Sequence, residues 1–255
     1  GLFNGGKRIR PLLIIEFSKI LKLKKNNYMR VALATELVHS YSLIHDDIMD
    51  DDNIRRGKPT THKKFNQATA ILAGNSLLTL AFEILADKKT HLKHETRANL
   101  ISQLSLLSGH KGLAGGQSLD LLYEKKNATE KNIVNMHELK TAKLFEFCLC
   151  APLIMSNIND IKISKQTQKY GKNFGLIFQA TDDLIDVIGN KVITGKETQK
   201  DLKKNKGNIF KYKTQEDIKK YCIGLATKAT SNSTYFSCKD SLLYKLIFNI
   251  INRVT

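Results

Sequence analysis

Two runs of aspartate on helix-patterned sequence constrain this chain more than any other feature. Asp46-Asp47-Ile48-Met49-Asp50 continues into Asp51 and Asp52, and Asp182-Asp183-Leu184-Ile185-Asp186 lies far downstream. Each contains D-D-x-x-D. In the first run, five carboxylates fall within seven residues, in a chain of formal net charge +17. Like charges this close repel one another, so at neutral pH something cationic must hold them. Arg55 and Arg56 follow directly, but two guanidinium groups are too few. Hard divalent ions such as Mg²⁺, bound through carboxylate oxygens and shared with a substrate's phosphates, fit the need better.

The pattern around both runs is helical. Val31, Leu37, Val38, Tyr41 and Ile44 give an apolar face to a helix expected from about Tyr28 to Met49. On it His39, Leu43, Asp46, Asp47 and Asp50 share one face. The carboxylates therefore sit at the C-terminal end, where the helix dipole disfavours anions. A second long helix, expected over 164–189, carries Gln179, Asp182, Asp183 and Asp186 at i, i+3, i+4 and i+7. The first and last Asp of each run are i, i+4 neighbours, able to chelate from one helix face. A diphosphate bridged by Mg²⁺ fits between two such helices.

The remaining sequence extends the all-α expectation. There are three prolines in 255 residues, and no long alternating strand pattern. Further helices are expected from Pro11 to about Leu23, over 68–86 and 95–108, around Gln117 and Asp120, and from a Thr129 cap through Phe147, where Pro152 kinks or ends the helix. Two more are expected around 215–229 and 239–252. Residues 57–66 read as a polar connection, and 190–210 as a mobile basic loop. Lysines are scattered along the chain, which favours a solvated surface over a nucleic-acid stripe, although a positive field helps collect small polyanions. No uninterrupted apolar run approaches the ~18 residues of a membrane span. Cys148, Cys150, Cys222 and Cys238 form no C-x-x-C pair, so free thiols in a reducing cytoplasm are expected.

Cations also cluster. Gly5-Gly6-Lys7-Arg8-Ile9-Arg10-Pro11 places three positive charges at a helix start, where arginine forks and the helix N-terminus both suit phosphate. Lys140-Thr141, Lys196 and Lys206 supply further donors.

Taken together, GGKRIRP (5–11), HSYSLIHDDIMDDDNIRRGKPTTH (39–62), AILAGNSLL (70–78), GGQSLDL (115–121), KTAKL (140–144), GLIFQATDDLIDVIGN (175–190) and GKETQKDLKKNKG (195–207) resemble, in order and spacing, the trans-isoprenyl diphosphate synthases, most closely the bacterial farnesyl diphosphate synthase branch. The resemblance implies one all-α domain over 1–255, an isoprenoid synthase helical bundle around a deep central cavity, and a homodimer. It implies head-to-tail condensation of isopentenyl diphosphate with an allylic diphosphate, dimethylallyl or geranyl, using about three Mg²⁺. By matching position, Asp46, Asp47, Asp50, Asp182, Asp183 and Asp186 are the metal-binding set. Lys7, Arg10, His39 and Arg56 hold isopentenyl diphosphate. Arg55, Lys140, Lys196 and Lys206 hold the allylic diphosphate, with Thr141 and Gln179 near the reacting carbons. Tyr41, five residues before Asp46, is a candidate floor that limits the product to geranyl or farnesyl length.

The chain departs from that pattern in three places. Typical bacterial members have two more residues between the Asp pair and the next Asp run. The last motif reads Lys206-Gly207-Asn208-Ile209-Phe210 where a threonine and then a proline are usual. The helices that normally precede GGKR are absent, so a longer natural chain is expected upstream of Gly1. Two other readings of the same residues are a terpene cyclase of the same fold and a non-catalytic subunit of a heteromeric synthase. A cyclase would leave GGKRIRP idle, and a degenerate subunit would have lost Asp residues or GGKR.

Overall fold

The structure, a computed structural model, describes residues 5–91, 93–188, 209 and 212–254. In chain order it contains α1 (Ile9–Ile20), α2 (Lys25–Met49), β1 (Ile54–Arg55), β2 (Lys58–Pro59), α3 (Thr61–Lys64), α4 (Gln67–Ala86), α5 (His94–Ser108), α6 (Leu113–Lys125), α7 (Glu130–His137), a π-helical turn (Glu138–Ala142), α8 (Lys143–Ser156), α9 (Ile161–Ile188), α10 (Gln215–Thr230) and α11 (Leu242–Ile251), closed by a 3₁₀ turn (Asn252–Val254). The fold is all-α, as the sequence pattern implies. The stretch 190–210 lies outside the described residues apart from Ile209.

α8 is the centre of the packing. Its sequence is apolar nearly all round, and Leu144, Phe145, Phe147, Cys148, Leu149, Ala151, Pro152, Leu153 and Met155 are buried. A helix apolar on every side must be covered on every side. Here α1, α2, α5 and α9 do so. Each Leu or Phe buried this way contributes roughly 1.5–3 kcal/mol. That packing explains Pro152: the helix runs through it to Ser156, although an interior proline costs about 3 kcal/mol. The expectation that Pro152 ends the helix is corrected to that extent. Phe145 meets Phe174 and Phe178 of α9 with ring centroids 5.1 and 5.2 Å apart, which ties α8 to the helix carrying the second Asp run.

Caps set the helix starts. Thr129 and Asn132 form a capping box at α7, and Thr214 and Asp217 another at α10. Asn66 accepts from Thr69 N–H at 2.7 Å, and Asp160 from Ile163 N–H at 2.9 Å. Each such cap is worth about 1 kcal/mol. The polar connection after the first Asp run contains an antiparallel hairpin that hydropathy does not reveal, pairing Ile54 with Pro59 and Arg55 with Lys58. Its turn residues Arg56 and Gly57 both have positive φ, 53° and 73°, the signature of a tight two-residue hairpin.

α4 requires a correction. Among the described residues it is one helix long and apolar enough to cross a membrane, with mean hydropathy 1.6 over 18 residues. Asn75, Ser76 and Thr79 interrupt its apolar run, so scanning for unbroken runs passes over it. In the fold it lies against α2, α3 and α5.

Two glycines allow the helices around the π-helical turn to close on it. A Cβ on Gly116 of α6 would lie 2.1 Å from Lys140 N, and one on Gly175 of α9 would lie 2.3 Å from Ala142 Cα. Both contacts are with backbone, which cannot swing aside. Gly175→Ala is expected to lower the stability read by urea melts by about 2 kcal/mol, through overpacking. A Cβ on Gly224 of α10 would meet nothing within 4 Å, so Gly224→Ala is expected to leave stability unchanged or raise it by about 0.5–1 kcal/mol. Equal effects at the two sites would contradict the close-approach account.

Candidate active site

The first Asp run is sorted by the geometry of the α2 terminus. Asp47, buried on one flank, accepts from Arg55 Nε at 2.6 Å and lies 2.5 Å from its Nη2. Asp51, at positive φ, points outward to Lys63 at 2.7 Å, with His62 3.7 Å away. Asp46 and Asp50 remain one turn apart on the inner face. Burial pushes the Asp46 carboxyl up to about 6; Lys140 opposes the shift and Asp50 adds to it.

The π-helical turn stands between the two runs. Lys140 Nζ donates to Asp120 Oδ2 of α6 at 2.5 Å, and its charge acts on Asp46. Thr141 Oγ1 donates to Gln179 Oε1 at 2.6 Å, and Gln179 Nε2 donates to Asp183 Oδ1 at 2.8 Å. Adjacent residues of one turn thus address opposite clusters, in keeping with the use of π turns at functional sites. Sequence reasoning places Asp120 on a helix but gives it no role. The signal is there in GGQSLDL, which also contains Gln117, buried and without a hydrogen-bond partner among the described residues.

The basic side is built by α1 and the hairpin. Arg10 Nη1 stands 3.2 Å from His39 Nε2, and its guanidinium lies 4.3 Å over the Phe145 ring. Burial, and then Arg10, Arg56, Arg55 and Arg8, hold the His39 imidazole well below its ordinary range. It is therefore neutral at pH 7 and accepts from Arg10 through Nε2. Arg56 donates to the Gly5 carbonyl, and Arg8 pairs with Glu36. Behind these groups Arg8, Glu36, Asp47, Arg55 and Arg56 help line a cavity of about 40 Å³. Burial and then Arg253 lower the pKa of Lys7, while Asp182 raises it. Sequence reasoning misses Arg253. It is a lone arginine with no motif, brought by the 3₁₀ turn to 3.4 Å from Asp182 Oδ1. Asp182 and Asp186 are half-buried, one turn apart on α9. Lys196 and Lys206 lie outside the described residues.

The donor set suits Mg²⁺. Among the described residues no three His, Cys, Asp or Glu side chains stand close enough to cage an ion by themselves. Mg²⁺ does not need such a cage: it takes one or two carboxylates and completes its shell with phosphate oxygens and water. Asp46/Asp50 and Asp182/Asp186 offer hard oxygens of that kind, and burial raises the Asp46 carboxyl to about 6.

The polyprenyl synthetase family model matches residues 1–229. The chain belongs to the polyprenyl synthetase family. It is 43% identical over 207 residues to the farnesyl diphosphate synthase of Micrococcus luteus, covering 80% of this chain and 70% of that one. To the farnesyl diphosphate synthase of Bacillus subtilis strain 168 it is 37% identical over 245 residues, covering 95% and 82%. Among solved structures it is similar to a Helicobacter pylori geranyltransferase complexed with magnesium and isoprenyl diphosphate, with TM-score 0.83 and 34% identity over 98% of this chain and 84% of that one. Like these members of the polyprenyl synthetase family, it is a short-chain trans-prenyltransferase, and the cyclase and non-catalytic readings are not favoured. The family is Mg²⁺-dependent.

The raised Asp46 carboxyl makes the metal-free protein sensitive to pH. Its folded pKa, about 6, exceeds its ordinary 3.8. The native state therefore binds more protons than the unfolded state between these values, and stability falls as pH rises through them. Asp46→Asn is expected to stabilise the metal-free protein by about 2 kcal/mol at pH 8 and to have little effect below pH ~4, as read by thermal melts across pH. Coincident melting curves at pH 8 would contradict the assignment.

Proposed function

We propose that this enzyme condenses isopentenyl diphosphate with dimethylallyl or geranyl diphosphate, releasing inorganic diphosphate and forming geranyl or farnesyl diphosphate. The observation that carries this reading is the pair of aspartate runs with Lys140 and Thr141 between them, beside a second, separate basic group at Lys7, Arg10, His39 and Arg56. Two anionic substrates require two anion sites. A cyclase, which takes one diphosphate, would leave the second group without use.

In this reading Asp46, Asp50, Asp182 and Asp186 hold about three Mg²⁺ on the allylic diphosphate, and Asp47 and Asp183 support them. The bound ions supply positive charge that neutralises the diphosphate as its C–O bond ionises. Arg55 and Lys140 add donors, with Lys196 and Lys206 as further candidates. Gln179 Oε1 and Thr141 Oγ1 present oxygen to the positive charge that develops on the allyl group. Lys7, Arg10, neutral His39 and Arg56 hold isopentenyl diphosphate so that its double bond attacks the cation, after which a proton passes from the isopentenyl unit to the released diphosphate. Arg253, next to Asp182 and acting on Lys7, joins this basic group. Tyr41, half-buried and packed edge-on against His45 at 4.9 Å, is the floor of the product channel.

The same reading takes 1–255 as one domain, supported by a single apolar core that draws on helices from α1 to α11. It takes the active form as a homodimer. Support comes from α4, where Ile71, Leu72 and Leu80 are 39%, 65% and 40% exposed, apolar side chains that a second copy would cover. The cytoplasm is the expected compartment, in line with four free cysteines.

Incubation with isopentenyl and dimethylallyl diphosphates and Mg²⁺, followed by identification of the dephosphorylated alcohols, tests the proposal. Geraniol or farnesol is expected, and none after chelation of the metal. Asp46→Ala and Asp182→Ala are each expected to reduce turnover by about a hundredfold or more with helical circular dichroism intact. No condensation with any allylic primer would overturn the proposal, and an unchanged product from Tyr41→Ala would overturn the floor assignment.

A further inference from the structure

The hydrogen bonds around the second Asp run continue past Asp183. Its Oδ1 accepts from Gln179 Nε2 at 2.8 Å, and its Oδ2 accepts from the main-chain N–H of Ile209 at 3.3 Å. His137, the last residue of α7, places Nε2 3.6 Å from the same Oδ2. His137 and Asp183 are 3% and 4% exposed. Both carboxylate oxygens are thus engaged by the protein, whereas Asp182 and Asp186 lie on the more open side of α9.

This arrangement determines which way the Gln179 amide points. A carboxylate only accepts, so the amide must turn its NH₂ toward Asp183. Its Oε1 then faces Thr141, whose hydroxyl donates to it at 2.6 Å. The negative end of the amide dipole is held on the side of Lys140 and Thr141, where electrostatic stabilisation of a developing cation needs it. The 3.6 Å separation at His137 is too long for a hydrogen bond and is a packing contact of the ring against the carboxylate. It sets a buried ring against Oδ2 of Asp183, beside the Ile209 amide.

We propose that His137 is a positioning residue: acting through Asp183, it fixes the orientation of the Gln179 amide and the Thr141 hydroxyl, and Asp183 serves as the hub of that arrangement and not as a direct metal ligand. No sequence motif singles out His137, which precedes KTAKL by three residues and joins α7 to the π-helical turn. The inference rests on the reading of Thr141 and Gln179 as groups near the reacting carbons. It also refines the metal set, leaving Asp182 and Asp186 as the ligands from α9.

The test compares the parent protein with H137L, H137Q and D183N in three measurements. Steady-state kinetics separate kcat from KM for both diphosphates. Calorimetry reads the affinity of the unreactive probe Mg²⁺–pyrophosphate. Hydrogen exchange reads the Ile209 amide without any substrate. H137L is expected to lower kcat about tenfold with KM unchanged, the pattern of misplaced catalytic groups. It is also expected to speed Ile209 exchange about tenfold as Asp183 loosens, with Mg²⁺–pyrophosphate affinity unchanged. H137Q, which offers an N–H toward Oδ2, is expected to recover most of both losses, and D183N to behave as H137L does. Unchanged kcat and exchange in H137L would overturn the proposal. So would a D183N deficit confined to Mg²⁺–pyrophosphate affinity, which would make Asp183 a ligand. If H137L costs the fold, seen as lost helical circular dichroism, H137N reads the same quantities. The exchange and calorimetric arms need no turnover, so failure of the condensation reading stays distinguishable from failure of this one.

Discussion

The structure depends on an electrostatic conflict. Two groups of carboxylates stand at the C-terminal ends of its longest helices, α2 and α9, where the backbone already presents negative partial charge. In the first group Asp47 and Asp51 are matched by Arg55 and Lys63, and in the second Asp182 meets Arg253 while Asp183 is held by Gln179, Ile209 and His137. Asp46 shows what local pairing leaves over: a buried carboxyl raised to about 6 with Lys140 nearby. In the proposed reading, cations from outside the chain would complete the balance, and a diphosphate bound with Mg²⁺ would supply them together with oxygens for their coordination shells.

The fold places these groups by close packing in the middle of the bundle. α8 is covered on all sides, and the π-helical turn that precedes it is pressed between Gly116 of α6 and Gly175 of α9. With no side chain at either glycine, the turn approaches both helices at backbone distance. Lys140 then reaches Asp120 and acts on Asp46, and Thr141 reaches Gln179. The chemistry of the site therefore rests on two residues that contribute no atoms to it.

Much of this is legible in the sequence, and the rest is hidden for physical reasons. Helix period places α2 and α9 within a few residues, and the i, i+4 spacing puts Asp46 with Asp50 and Asp182 with Asp186 on common faces. The family resemblance brings Arg10, His39 and Arg56 into one group, and the structure holds Arg10 3.2 Å from His39. Long-range contacts have no local signature. Arg253 meets Asp182 across 71 positions, and His137 meets Asp183 from a helix end that reads as ordinary amphipathic sequence. The hairpin at Ile54–Pro59 is too short for strand periodicity and is decided by the backbone at Arg56-Gly57. Pro152 is the reverse case, a strong local breaker overruled by burial of the whole helix. The π-helical turn cannot be read from period at all, and its close approach to α6 and α9 needs the two glycines facing it.

Calorimetric titration of inorganic pyrophosphate, with and without Mg²⁺, tests the central claim most directly, that the two aspartate pairs jointly hold a metal-bridged diphosphate. The account predicts binding that requires Mg²⁺ and is weakened about tenfold or more by Asp46→Asn and by Asp182→Asn alike, each removing charge that the bridging ions need. Equal binding without the metal, or parental affinity in both variants, would contradict it.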